Sequence, residues 1–135
     1  MTIEENKTLY RRFIQEVFNE GKIEAAEGLL APDYVLHDAP PGTPTGPAAV
    51  VGVVRMFRAA FPDLVITLDA LVAEGDLVCA RATTRGTHRG PFMGTAPTGN
   101  TISMSGLTMV RVAGGRIAES WVKNDTAGLV RQLGE

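Results

Sequence analysis

Residues 101–124 read TISMSGLTMVRVA, then GG, then RIAESWVKN. The run Thr101–Ala113 contains no proline and is rich in β-branched and apolar residues, which suits a pleated, half-buried surface. Gly114-Gly115 supplies the left-handed backbone of a two-residue hairpin turn. Arg116 to about Asn124 is then the returning strand, and Thr126 to Leu133 a closing helix. The pattern repeats upstream. Leu64 to Ala73 is β-rich, Glu74-Gly75-Asp76 is a tight turn, and Leu77 to about His88 is a long strand. The loop Arg89 to Asn100 carries three glycines and two prolines.

The first third has a different period. Leu9, Phe13 and Val17 recur every four residues, with Tyr10, Ile14 and Phe18 beside them, which makes one wide apolar helical stripe. Thr2 followed by Glu5 matches a capping box, and Gly21 fits a helix stop. A second helix is expected over Ile23 to Leu30, ended by Pro32. Tyr34 to His37 is a short extended piece, and Asp38 to Pro44 is too proline-rich for helix or central strand. Pro47 starts a third helix whose buried edge is Val50, Val54, Phe57 and Phe61, and Phe61-Pro62-Asp63 stops it. Helices first and an antiparallel meander after them predict one α+β domain over residues 1–135, with helices on one face of a curved sheet. A sheet curled around helices leaves an apolar pocket at its open end, where a small hydrophobic ligand fits.

Composition removes several functions. Lys plus Arg number 13 and Asp plus Glu 15, and no basic run interleaves with aromatics, so nucleic acid is not an expected partner. No apolar stretch approaches the ~18 residues of a membrane span, and Met1 to Glu5 is not a signal core, so the expected location is cytoplasmic. The lone Cys79, in an apolar run, reads as a buried structural thiol. His37 and His88 are far apart and fit no ligand spacing, so no metal is expected. No glycine-rich phosphate loop opens a helix, so no nucleotide cofactor is expected either. Ser103, Ser105 and Ser120 lack a nucleophile-elbow context. Proton transfer by a carboxylate, or binding without chemistry, is what remains.

The later part of the chain resembles the SnoaL-like polyketide cyclases. Gly86-Thr87-His88-Arg89-Gly90, Gly94 and Pro97-Thr98-Gly99 match their loop. Arg111, Gly115-Arg116-Ile117, Glu119, Trp121, Asp125 and Gln132-Leu133-Gly134 match their C-terminal pattern, and Phe61-Pro62-Asp63 and Glu74-Gly75-Asp76 fit upstream. The resemblance implies the cone-shaped α+β fold of nuclear transport factor 2 and ketosteroid isomerase, and a homodimer. It also implies ring closure by intramolecular aldol chemistry without a cofactor, as a lyase or isomerase, with Asp125 as acid/base. Where such cyclases carry a histidine, this chain has Thr108, and where one carries glutamine it has Gly106.

Enolate formation needs a base beside a C–H acid and a donor for the developing oxyanion. Burial at the mouth of an apolar cavity would tune Asp125 for that task. The alternative is that Asp125 caps the helix at Thr126. Around it, Trp121 and Lys123 share a strand face by parity, with Trp121 a pocket wall and Lys123 a partner for a carbonyl oxygen. Tyr34 and His37 stand at the entrance, Thr108 is a hydrogen-bond helper, and Phe92 and Met104 supply apolar lining. His88 either fixes the glycine-rich loop or joins the site. Glu119 and Arg81 are expected to pair across strands. Two rival readings are a non-catalytic pocketed dimer that binds a hydrophobic metabolite, and a ketosteroid isomerase-like or epoxide hydrolase-like enzyme.

Overall fold

In the computed structural model, which describes residues 1–134, the predicted capping box is formed. Glu5 N–H donates to Oγ1 of Thr2 at 3.1 Å, and Thr2 N–H donates back to Oε1 of Glu5 at 2.9 Å. The helix they open, α1, covers Ile3–Phe13 and continues as a π-helical segment, Ile14–Asn19. A 3-10 turn at Ile23–Ala25 leads into α2, Ala26–Leu29. The second helix is therefore shorter than its pattern suggests. The chain turns extended at Leu30, and β1 runs over Leu30–Leu36 with Pro32 inside it. Proline is tolerated there because β1 is an edge strand.

The remaining elements follow the sequence closely. They are α3 (Ala48–Ala60), β2 (Val65–Glu74), β3 (Leu77–Thr87), β4 (Thr101–Ala113), β5 (Arg116–Asn124) and α4 (Thr126–Gly134). The sheet order is β1-β5-β4-β3-β2. From β2 to β5 it is an antiparallel meander. The first strand departs from the all-antiparallel expectation, since β1 lies parallel to β5. A hairpin cannot make that pairing, so β1 arrives from the helices and docks onto the end of a finished meander.

Register fixes which side chains meet the helices. Val78, Ala80, Val110 and Ser120 are buried, and the pairs Val78↔Val110 and Val110↔Ser120 place them on one face, here called inner. The larger core packs this face against Leu9, Phe13, Val17, Leu29 and Val54. A smaller core gathers Phe61, Leu64, Phe92, Ile102, Met104 and Leu129 where α4 and the 89–100 loop close the other end. No helix among the described residues is long and apolar enough to cross a membrane.

Candidate functional site

Two phenols reach the inner face from opposite sides. Tyr10 of α1 faces Thr108 of β4, and Tyr34 of β1 faces Ser120 of β5. Both rings are buried. Burial holds the Tyr10 hydroxyl neutral, pushing its pKa up to about 12, and raises that of Tyr34 as well. Each phenol therefore keeps its O–H at neutral pH.

Beyond this polar pair the inner face opens. Thr108 pairs with Val122, and Leu68, Ala82, Gly106 and Asn124 form the next row across β2, β3, β4 and β5. Thr108, Val122, Leu68, Ala82 and Gly106 are only half-buried and Asn124 is exposed, although Val110 and Ala80 on the same face are sealed. Solvent reaches the sheet here because the row lies where the two apolar cores part. Gly106 has no room for a side chain, since a Cβ would come within 2.0 Å of Oδ1 of Asn124.

Asp125 follows that row directly. Its N–H donates to the Ser105 carbonyl at 2.9 Å, and its Oδ1 accepts from Gly128 N–H at 3.0 Å. It is thus the N-cap of α4, one of the two roles read from the sequence. The enclosure expected around it is not there: Asp125 is exposed. Its second oxygen, Oδ2, has no hydrogen-bond partner among the described residues. The carboxylate is pinned by one oxygen and free at the other, beside the half-buried row.

The other expected site residues divide into three groups. Tyr34 and Thr108 are on the inner face, as described. His88, Phe92 and Met104 are buried at the closed end. Nδ1 of His88 accepts from Thr98 N–H at 3.1 Å and lies 3.0 Å from Thr98 Oγ1, which itself accepts from Asn100 N–H. These bonds tie down the glycine-rich loop. Phe92 packs on Phe57 and Phe61, with ring centroids 5.4 Å apart in both cases. The third group, His37, Trp121 and Lys123, is on the outer face and away from the phenols. Trp121 pairs with Met109 and Lys123 with Leu107, whereas Asn124 pairs with Gly106. Strand parity does not carry through to Asp125, because β5 stops at Asn124 and the next residue is a helix cap.

On that outer face His37 stacks on Trp121, with centroids 4.7 Å apart and planes 3° from parallel. Nε2 of His37 lies 2.7 Å from Oε1 of Glu119, and Arg111 pairs with the other carboxylate oxygen. The Arg111 guanidinium, and after it His37, holds the Glu119 carboxyl below the usual carboxylate range. The partner of Glu119 is thus its register neighbour Arg111, not the expected Arg81. Lys123 is 3.0 Å from Asp38. Cys79 is half-buried on this face, not inside the core.

Two surface grooves are present elsewhere. One of about 800 Å³ lies between Asn6, Asp76 and the Gly114-Gly115 turn, and one of about 550 Å³ lies between Asp63, Arg85 and Gln132. Neither is lined by Asp125. No group of three or more potential metal-ligating side chains occurs among the described residues. Sequence reasoning missed Tyr10 and Ser120 as polar inner-face groups. Tyr10 looked like part of the apolar stripe, and Ser120 became legible only once β5 was paired with β4.

The SnoaL-like polyketide cyclase family model matches residues 8–133. No curated protein matches the chain. Among solved structures, TsrD from Streptomyces laurentii is 30% identical with a TM-score of 0.90, covering 99% of this chain and 98% of its own. IdmH from Streptomyces antibioticus, described as a candidate polyketide cyclase, is 40% identical with a TM-score of 0.83, covering 96% and 99%. A candidate polyketide cyclase from Acidithiobacillus ferrooxidans is 34% identical with a TM-score of 0.85, covering 99% and 98%. With its family pattern matched almost end to end on the same α+β fold, the chain belongs to the SnoaL-like polyketide cyclase family.

Proposed function

We propose that the protein catalyses cofactor-independent acid/base chemistry, an aldol cyclisation or isomerisation, on a hydrophobic ketone or ester held against the inner face of the sheet. The observation that carries this reading is the free Oδ2 of Asp125, fixed at the rim of the half-buried row. A flat apolar substrate lying between the two cores would cover the carboxylate and exclude water from it. Asp125 would take a proton from the carbon beside a carbonyl. The enolate would attack a second carbonyl of the same molecule, forming the C–C bond. The new alkoxide would receive that proton back, so no cofactor and no net proton are consumed. The neutral Tyr10 and Thr108 hydroxyls supply polarity at the far end of the row.

Asp125→Asn tests the assignment. Asparagine keeps the cap and removes the base, so hydrogen–deuterium exchange at the substrate's acidic carbon and ring closure should both fall at least a hundredfold, with folding unchanged. Undiminished turnover in the variant ends the assignment. The exposed, capping position of Asp125 favours a second reading, a carrier that binds such a ketone without chemistry. Saturable binding with no carbon exchange in the wild type identifies that case.

A further inference from the structure

The last residue of β5 and the cap that follows it each lie against a glycine. Asn124 pairs with Gly106 across β4, and a Cβ on Gly106 would lie 2.0 Å from Oδ1 of Asn124 and 3.1 Å from its Cγ. The carboxamide therefore fills the space that a side chain at 106 would take. Oδ1 and Cγ are its atoms nearest that point, so the carbonyl edge faces β4 and the NH2 edge faces away. A Cβ on Gly128 would likewise lie 2.2 Å from Oδ2 of Asp125, the carboxylate oxygen left free by the cap. Gly128 stands inside α4, although glycine is the poorest helix former after proline. The two glycines thus give room to two adjacent polar side chains, a carboxylate oxygen with no donor and an amide nitrogen with no acceptor among the described residues. Asn124 is exposed at the inner-face row, where a ligand would meet it.

We propose that Asn124 is a catalytic residue: its Nδ2 donates to the carbonyl oxygen of the substrate, and to the enolate oxygen that forms there, while Oδ2 of Asp125 takes the proton from the carbon alongside. The inference rests on the base assignment of Asp125 and adds the donor that enolate formation needs. An enolisable carbon and its carbonyl oxygen are separated by a single atom, so base and donor must come from neighbouring positions. Adjacent Cα atoms, about 3.8 Å apart, provide them. As the C–H bond breaks, its electron pair forms the C=C bond and the carbonyl π pair moves onto oxygen. Nδ2 keeps both its hydrogens, so the proton count is unchanged. The other candidate donors are further off or engaged. Thr108 is two residues along β4, about 7 Å away at about 3.3 Å per residue, and Tyr10 faces Thr108. Lys123, the carbonyl partner expected from the sequence, is on the outer face beside Asp38.

Two measurements separate this donor from the base. p-Nitrophenolate stands in for the enolate, and nitrobenzene for the same ring without the anionic oxygen. In an Asp125→Asn background, where asparagine stands for the protonated acid, Asn124→Leu should weaken p-nitrophenolate binding at least tenfold and leave nitrobenzene binding within about twofold. The absorption of bound p-nitrophenolate should shift to longer wavelength, since its oxygen loses a hydrogen bond. With Asp125 in place, Asn124→Leu and Gly106→Ala, which displaces the amide, should each slow deuterium exchange at the acidic carbon of β-tetralone at least tenfold, in kcat more than in KM. Circular dichroism checks folding, and Asn124→Ala replaces a leucine variant that does not fold. Equal p-nitrophenolate affinity with and without Asn124 overturns the proposal, as does a protein that binds p-nitrophenolate no tighter than nitrobenzene. An Asn124 effect on p-nitrophenolate, with tetralone exchange unchanged by Asp125→Asn, supports the donor and ends only the base assignment.

Discussion

Asparagine at position 125 keeps the oxygen that Gly128 N–H needs, whereas alanine removes it. Asp125→Asn should therefore match the wild type in stability, and Asp125→Ala should fall below it by about 1 kcal/mol in urea denaturation. Equal stability for the two variants would show that the cap contributes nothing. Gly90 offers a sharper case. A Cβ there would lie 2.1 Å from the Ala59 carbonyl oxygen, and the N–H groups of Arg89 and Gly90 both donate to Ala60. Neither backbone can yield without breaking those bonds, so Gly90→Ala should cost more than about 1 kcal/mol, despite stiffening the unfolded chain. A neutral or stabilising result would mean that the loop relaxes freely. Both roles of Asp125 could be read from the sequence, as a lone acid before a helix and as a family position. Its exposure could not, because that depends on how far α4 covers the open end of the sheet.

Asp63 links α3 to β3. Its Oδ1 accepts from Thr87 N–H and its Oδ2 from the Thr87 hydroxyl, both at 2.7 Å. The Thr87 hydroxyl first, and then its N–H, holds the Asp63 carboxyl below the ordinary aspartate value. A depressed native pKa means that unfolding takes up a proton in the intervening range. The stability it provides is complete above the unfolded pKa of about 3.9, and it is lost as pH falls through the lowered native value. The stability gap between wild type and Asp63→Asn should therefore be widest above pH ~4 and close in more acidic urea titrations. A gap independent of pH would exclude the linkage. At this scale the turns and the meander were legible, since Gly75 and Gly114-Gly115 leave the strands little choice of partner. The face of Trp121 was not legible. Both faces of β5 carry apolar and polar residues, so alternation alone does not say which side meets the helices.

Two cores in one sheet imply two levels of local stability. The larger one is built on helices that span the meander, and the smaller on α4 and a loop closed by a few hydrogen bonds. Amide exchange should be slowest at Val78, Ala80 and Val110, and clearly faster in α4 and residues 89–100. Uniform protection would make the molecule a single cooperative unit. The overall class was legible from the order of periods along the chain. The direction of β1 was not, because a short edge strand holds no local signal of which neighbour it joins. That strand carries a consequence for synthesis. Residues 30–36 leave the ribosome long before residues 116–124, the strand they pair with in the sheet. The edge strand β1 must wait, its backbone unpaired, until nearly the last codon has been read. Chaperone dependence should therefore be concentrated in that interval, and a stop codon just before β5 should leave an aggregating fragment and not a smaller folded protein.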